Sequence, residues 1–314
     1  MSIVNVVVTC TKDKKYPVSE ECQLRNIHSD SLVLRLKEWQ SRLKRHWRER
    51  VNVKDLYAGD HWTTVRSFGS SFFGIDIWVC SAGYGLIRFD DKITPYAATF
   101  SGNHPDSVSA ELKGDERQGA SKHWWESTSR WKAHFKDRPR SLTALMATYP
   151  KRSLIVVASE TYLRAIADDL REGVQHLSDL DQLSIISAGV KKLDDLEGNL
   201  IPCDARLQSM TGGARRSLNT RLTKKILRES RVAPRASTLS KRYRKLLTEQ
   251  PPIEKYNRCP ISDEQVKRFI RQQLRIDKSL QHTPLLRMLR KTEKACEQKR
   301  FASLYKQVKD ELYG

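Results

Sequence analysis

Ile3-Val4-Asn5-Val6-Val7-Val8-Thr9 is a short β-branched run without a charged residue. Such a run reads as a strand covered on both faces, as in a parallel sheet. It passes directly into Cys10-Thr11-Lys12-Asp13-Lys14-Lys15-Tyr16-Pro17, a polar loop at the strand's C-terminal edge. The same alternation continues along the chain. Leu32, Leu34, Leu36, Trp39, Leu43 and Trp47 fall near helical spacing and predict a helix over 32–50. A second strand is predicted over 73–80, ending in Ser81-Ala82-Gly83-Tyr84-Gly85, and an aromatic-rich helix over 121–135. A third strand over 153–158 precedes a helix running to Leu170, and a fourth covers 183–187. The predicted fold is α/β: a mostly parallel central sheet of about four strands with helices on both faces. In sheets of this kind ligands bind outside the C-terminal ends of the strands, so the loops after the first two strands are the first places to search.

Charge divides the chain. The whole carries 57 Lys and Arg against 37 Asp and Glu, a net +20. Residues 205–314 hold 28 of those cations against 10 of the acids, and residues 1–204 hold 29 against 27. A near-neutral body followed by a strongly basic segment points to a polyphosphate partner held through counterion release, and DNA is the expected one. No apolar run approaches the ~20 residues that span a bilayer. The first residues lack a basic segment and a small-residue cleavage site, so a cytoplasmic protein is expected; a monomer is also expected. The six cysteines are scattered without metal-ligand spacing, and neither zinc nor another cofactor is expected.

Past Arg231 the character changes. Residues 233–258 read as a basic linker with one short helix, leaving 1–232 as the α/β domain and 259–314 as a small basic all-α domain. Ser262-Asp263-Glu264-Gln265 has the form of a helix N-cap before Val266, Phe269, Ile270 and Leu274. Thr283-Pro284 reads as the next helix start, and a last helix follows closely. That spacing suits a helix-turn-helix presenting Gln298, Lys299 and Arg300 to DNA, or a small bundle contacting phosphates only.

Three segments carry more than pattern: the loop Val8 to Ser19 with its Cys-small-x-x-Lys-Tyr arrangement; Cys80-Ser81-Ala82-Gly83-Tyr84-Gly85-Leu86-Ile87 with Asp90-Asp91 and Pro95-Tyr96 behind it; and Pro202-Cys203-Asp204-Ala205-Arg206 with Gly212-Gly213 and Ser217-Leu218-Asn219. The first two resemble the uracil-DNA-glycosylase-like domain of archaeosine synthases and related bacterial proteins. The chain as a whole is similar to bacterial anti-phage DNA glycosylases that remove glucosylated hydroxymethylcytosine. The resemblance implies a uracil-DNA-glycosylase-like fold and metal-independent hydrolysis of the N-glycosidic bond of a modified cytosine, leaving an abasic site in phage DNA. The GQDPY-type loop of true uracil glycosylases is absent; Thr11 to Tyr16 stand in its place.

Breaking a base–deoxyribose bond places positive charge on the sugar and negative charge on the leaving base. It calls for a carboxylate near the anomeric carbon, donors near the base, and a pocket for the extruded nucleotide. The first loop offers Asp13 as the water-activating carboxylate and Lys12 as a phosphate or base contact, with Cys10 and Thr11 beside them; the alternative is a solvated charged turn. In the second loop Gly83 and Gly85 would let backbone approach a ligand and Tyr84 would stack on the base, unless Tyr84 simply packs locally. Asp90 and Asp91 are further candidate carboxylates, or a turn. Tyr57 and Gly59 form another polar-aromatic turn, and Tyr96 lines the pocket or fills the core. Arg206 either pairs with Asp204 or meets a phosphate, and Arg215 and Arg216 suit a phosphate at a helix start. Two other classes of function fit the same residues: a non-catalytic DNA-binding regulator, and a tRNA base-modifying enzyme.

Overall fold

In the computed structural model, residues 2–313 are described except 71, 132–134, 136, 191 and 253–256. The chain divides into two compact units, Met1–Pro251 and Pro252–Gly314. The first is α/β with a five-stranded mixed sheet. Its strands and those of a minor ribbon are β1 (Ile3–Thr9), β2 (Val51–Asn52), β3 (Gly74–Ser81), β4 (Gly85–Arg88), β5 (Lys92–Ile93), β6 (Leu154–Val157) and β7 (Leu183–Ile186). The sheet order is β4-β3-β1-β6-β7. β3, β1, β6 and β7 run parallel, with Val6 opposite both Ile77 and Ile155; β4 returns antiparallel to β3 as an edge. β2 and β5 form a separate two-stranded ribbon.

β1 lies at the centre, and its residues from Val4 to Thr9 are buried on both faces. Even Asn5 is enclosed, where its side-chain oxygen accepts the Trp78 indole N–H at 3.4 Å. The helices are α1 (Leu32–Arg45), α2 (Val53–Leu56), α3 (Gly59–Arg66), α4 (Gly114–Arg130), α5 (Leu142–Thr148), α6 (Glu160–Val174), α7 (Gln208–Thr211), α8 (Leu218–Glu229) and α9 (Ala236–Glu249). α4 packs on α1 and α6, and α3 packs on α8. The α1 N-terminus is capped from a distance: Ser31 makes no side-chain cap, and the Glu116 carboxylate accepts the Leu32 N–H at 3.1 Å. α1 ends at Arg45, five residues short of the predicted boundary, while α4 begins seven residues earlier than predicted and ends at Arg130.

The segment read as a linker behaves otherwise. Ala236, Leu239, Tyr243 and Leu247 of α9 are buried in the core of the first unit, so the division falls between Pro251 and Pro252. This moves much of the charge. Residues 205–251 hold 13 Lys and Arg against 2 Asp and Glu, and residues 252–314 hold 15 against 8. The denser basic stretch thus belongs to the α/β body.

The second unit contains α10 (Asp263–Ile276), α11 (His282–Lys291) and α12 (Gln298–Tyr313), with a short parallel pair of β8 (Cys259–Pro260) and β9 (Lys294–Ala295). Ser262 and Gln265 form the reciprocal capping box expected at the α10 start. α11 begins one residue before Thr283, with Gln281 at the cap position. Val266, Ile270, Leu274, Leu285, Leu289, Phe301, Leu304 and Val308 form this unit's own core.

Candidate functional site

The chain leaves β1 for β3 on one side and later returns to β6 on the other, so the connections diverge above the C-terminal end of β1. At such a switch point an open α/β sheet forms its natural crevice. Four loops converge there. Cys10 follows β1 and meets Tyr162 in the first turn of α6, Sγ to Oη 3.1 Å. Ser81 ends β3. Its Oγ accepts the N–H groups of Gly83 at 3.2 Å and Tyr84 at 3.1 Å, which uses both lone pairs. The Ser81 hydroxyl therefore donates to Tyr96 Oη at 2.6 Å, and the hydroxyls of Tyr96 and Tyr57 share a hydrogen bond at 2.9 Å. The result is a connected cluster of neutral hydroxyls. Burial drives the phenols of Tyr57, Tyr96 and Tyr162 well above the ordinary tyrosine value, so they act as hydrogen-bonding groups and not as bases.

Lys14 closes this cluster. Its ammonium lies 4.9 Å from the Tyr96 ring centroid and 5.6 Å from that of Tyr57, and donates to the carbonyls of Thr11 at 3.1 Å and Lys12 at 3.3 Å. Burial lowers its pKa from the ordinary lysine value. Loop 11–15 is held against residues 56–58: Lys15 N–H donates to Leu56 O at 2.8 Å, Ala58 N–H to Asp13 O at 2.9 Å, and Thr11 Oγ1 to Asp13 O and Ala58 O. Gly59 has φ +87°, and a Cβ there would stand 3.3 Å from Asp13 Oδ2. The glycine lets the exposed Asp13 carboxylate lie against the start of α3.

The rim continues through α3 into α8. His61 Nε2 donates to Thr9 O at 3.1 Å, and burial holds the imidazole below its ordinary pKa. Asp60 accepts from Ser217 and from both Nε and Nη2 of Arg221, and Arg221 holds the carboxyl below its usual range. Asn219 joins two more strand ends: Nδ2 donates to Ala158 O at 3.1 Å and Oδ1 accepts the Ala188 N–H at 2.8 Å.

Of the predicted residues, Cys10, Thr11, Lys12, Asp13, Tyr57, Gly59 and Tyr96 thus come together. Lys12 is exposed, and Lys14 is the lysine that points onto the rings. The second loop is built differently from the expectation. The Trp124 indole donates to Ala82 O at 2.7 Å and the Trp39 indole to Gly83 O at 2.9 Å, so this turn is bound into the core. A Cβ on Gly83 would meet the Tyr96 ring at 2.6 Å, and one on Gly85 would meet the α4 backbone at Thr128 and Ser129 at 3.0 Å. These glycines admit an aromatic ring and a helix instead of a ligand. Tyr84 stacks on Trp131, with centroids 5.6 Å apart, and its hydroxyl bonds to Thr94. It has no free face for a base.

Asp90 and Asp91 are also elsewhere. β4 carries the chain back along β3, Arg88 opposite Trp78, so both aspartates lie beyond the hairpin's far end, about 10 Å or more from Ser81. Asp90 pairs with Arg88 at 3.0 Å, and buried Asp91 accepts the Arg88 N–H at 2.7 Å and pairs with Arg138. Arg206 is fastened too: it forks onto Asp204 and donates to Leu247 O at 3.0 Å, tying down the end of α9. Arg215 and Arg216 are exposed. In the second unit Arg300 is held by Asp263 and Ile261 O, whereas Gln298 and Lys299 are exposed.

A cavity of about 720 Å³, bounded by Trp78, Arg88, Arg140 and Tyr149, lies at the opposite end of the sheet. We place the candidate site at the switch point because the converging loops and polar side chains are there. Among the described residues no group of three His, Cys, Asp or Glu is placed to hold a metal, and no helix is long and apolar enough to cross a membrane. No protein-family model, curated protein or solved structure matches the chain.

Proposed function

We propose that this protein is a DNA N-glycosylase whose first unit, of uracil-DNA-glycosylase-like fold, hydrolyses the bond between deoxyribose and a modified cytosine in phage DNA. The observation that carries the reading is the assembly at the β1 edge. One short loop sets the exposed Asp13 carboxylate against Gly59 and the Lys14 ammonium over the Tyr57 and Tyr96 rings, and the rim runs through Asp60 into a basic helix. Each part answers a need of the reaction. Asp13 stabilises the developing sugar cation or orients a water toward it. Lys14 balances negative charge on the departing base, and the Tyr57 and Tyr96 ring faces that Lys14 covers offer a stacking surface once the lysine swings aside. Buried phenols supply hydrogen bonds to a neutral base without competing for its charge. The basic surfaces hold the sugar–phosphate backbone.

The test is to incubate the purified protein with DNA containing glucosylated hydroxymethylcytosine and with unmodified DNA of the same sequence, then to probe for aldehyde-bearing abasic sites. The expected result is abasic product from the modified DNA, lost in Asp13→Asn and retained in Asp90→Asn. Absence of product from every modified DNA overturns the reading.

A further inference from the structure

We infer that the groove between α7 and α8 is a binding track for the sugar–phosphate backbone of DNA, an assignment that rests on the proposed reaction only for what the track delivers. The groove has a volume of about 470 Å³ and is lined by Arg221, Lys224, Lys225 and Arg228, together with Met210 and Glu229. Positions 221, 224, 225 and 228 recur at intervals of three and four, so their side chains share one helix face. At 1.5 Å per residue they span about 10 Å, the axial length over which one DNA strand presents about three phosphates.

Their pairing is uneven. Arg221 is committed to Asp60, and Lys225 to Glu229 at 2.5 Å, which Arg242 also grips. Lys224 and Arg228 have no ion-pair partner among the described residues. Glu229, the single acid in the lining, is thereby neutralised twice, and the groove keeps a net positive charge. Its placement is set by hydrogen bonds at the head of α8. Ser217 and Arg221 hold Asp60, and Asn219 holds the ends of β6 and β7. Asp60 adjoins Gly59, against which Asp13 lies. A strand resting on the α8 cations therefore passes beside the loop edge of the sheet at the switch point, and a nucleotide turned out of that strand faces the loop bearing Asp13. Since α8 belongs to the first unit, this unit supplies phosphate contacts of its own.

The experiment compares three full-length proteins: the wild type, Lys224→Ala/Arg228→Ala, and the charge-matched control Lys113→Ala/Lys151→Ala, whose targets are exposed outside the groove. Affinity for a labelled, unmodified DNA duplex is measured by fluorescence anisotropy across a salt series. The groove variant is expected to make the negative slope of log affinity against log salt shallower by about 2, near 0.9 for each lost phosphate contact, with an unchanged Tm. The control is expected to keep the wild-type slope. An unchanged slope in the groove variant, or an equal fall in the control, overturns the track. Base release is scored separately on modified DNA. A slope change without any abasic product leaves the track standing and removes the glycosylase reading; product without a slope change does the reverse.

Discussion

Arg221 in α8 forks onto Asp60 in α3 across 161 positions of chain, and the Ser217 hydroxyl joins the same carboxylate. Neither residue is near the other in sequence, and neither is deeply buried: the side chains are 27% and 37% exposed. The pair fastens the basic helix to the loop edge of the sheet. Solvent screening limits what it contributes to stability.

For this pair a double-mutant cycle with Asp60→Asn and Arg221→Met is expected to give a coupling of roughly 1 kcal/mol in urea unfolding, smaller in high salt. A coupling indistinguishable from zero at low salt would mean that the contact is incidental.

Gly83 is predicted to be intolerant of a methyl group. The Tyr96 ring stands 2.6 Å from where a Cβ would be, and Tyr96 is held from two sides by Ser81 and Tyr57. Gly83→Ala should cost about 1–3 kcal/mol, as overpacking does. Placing it in a Tyr96→Leu background should relieve most of that cost, measured by the same unfolding curves.

Asp13 and Asp91 should separate function from stability. Asp13 is exposed at the rim, so Asp13→Ala is expected to abolish abasic-site formation with little change in Tm. Asp91 is buried on the Arg88 N–H and Arg138, so Asp91→Ala should lose about 1–3 kcal/mol from the donors it strands, while folded protein keeps its activity. The reverse pattern would move the catalytic carboxylate to Asp91.

His61 predicts a pH dependence with a definite sign. Burial, partly opposed by the Thr9 carbonyl, places its folded pKa below the ordinary 6.5. Between the two values the unfolded chain binds a proton that the folded chain refuses, so stability rises with pH through this window and its full value is present above 6.5. Unfolding free energy measured from pH 5 to pH 7 should climb, and His61→Gln should flatten the climb. A variant as steep as the wild type would assign the dependence to another group.

In the second unit the Ser262 cap is expected to be worth about 1 kcal/mol on replacement by alanine, and Phe301→Ala about 3–5 kcal/mol, because Phe301 is fully buried among Leu and Val side chains. Both are checked by thermal unfolding.

Much of the α/β architecture was legible in the chain, because burial on both faces leaves a mark that a single strand can carry. The run Ile3–Thr9 announces a central parallel strand, and the runs that became β3, β6 and β7 announce further parallel strands. The loop after β1 was likewise marked by its polar residues. Helix ends were less legible where the cap comes from afar, as Glu116 does for Leu32. β4 has only four residues and offers no period long enough to read, so the return of Asp90 and Asp91 to the far end was hidden. Lys14, Ser81, Tyr162 and Asn219 were missed as partners for one reason: each acquires its role from a contact with a distant element, and local pattern does not encode such contacts. The sequence by itself determined which segments must be covered from water and how much positive charge the chain carries. Tertiary structure alone decided that glycines 83 and 85 serve an aromatic ring and a helix, that α9 packs into the body, and that the densest cations lie on the body's own helices. Hydrophobic periodicity is a property of neighbouring residues, whereas close approach and ion pairing depend on which surfaces the folded chain brings together.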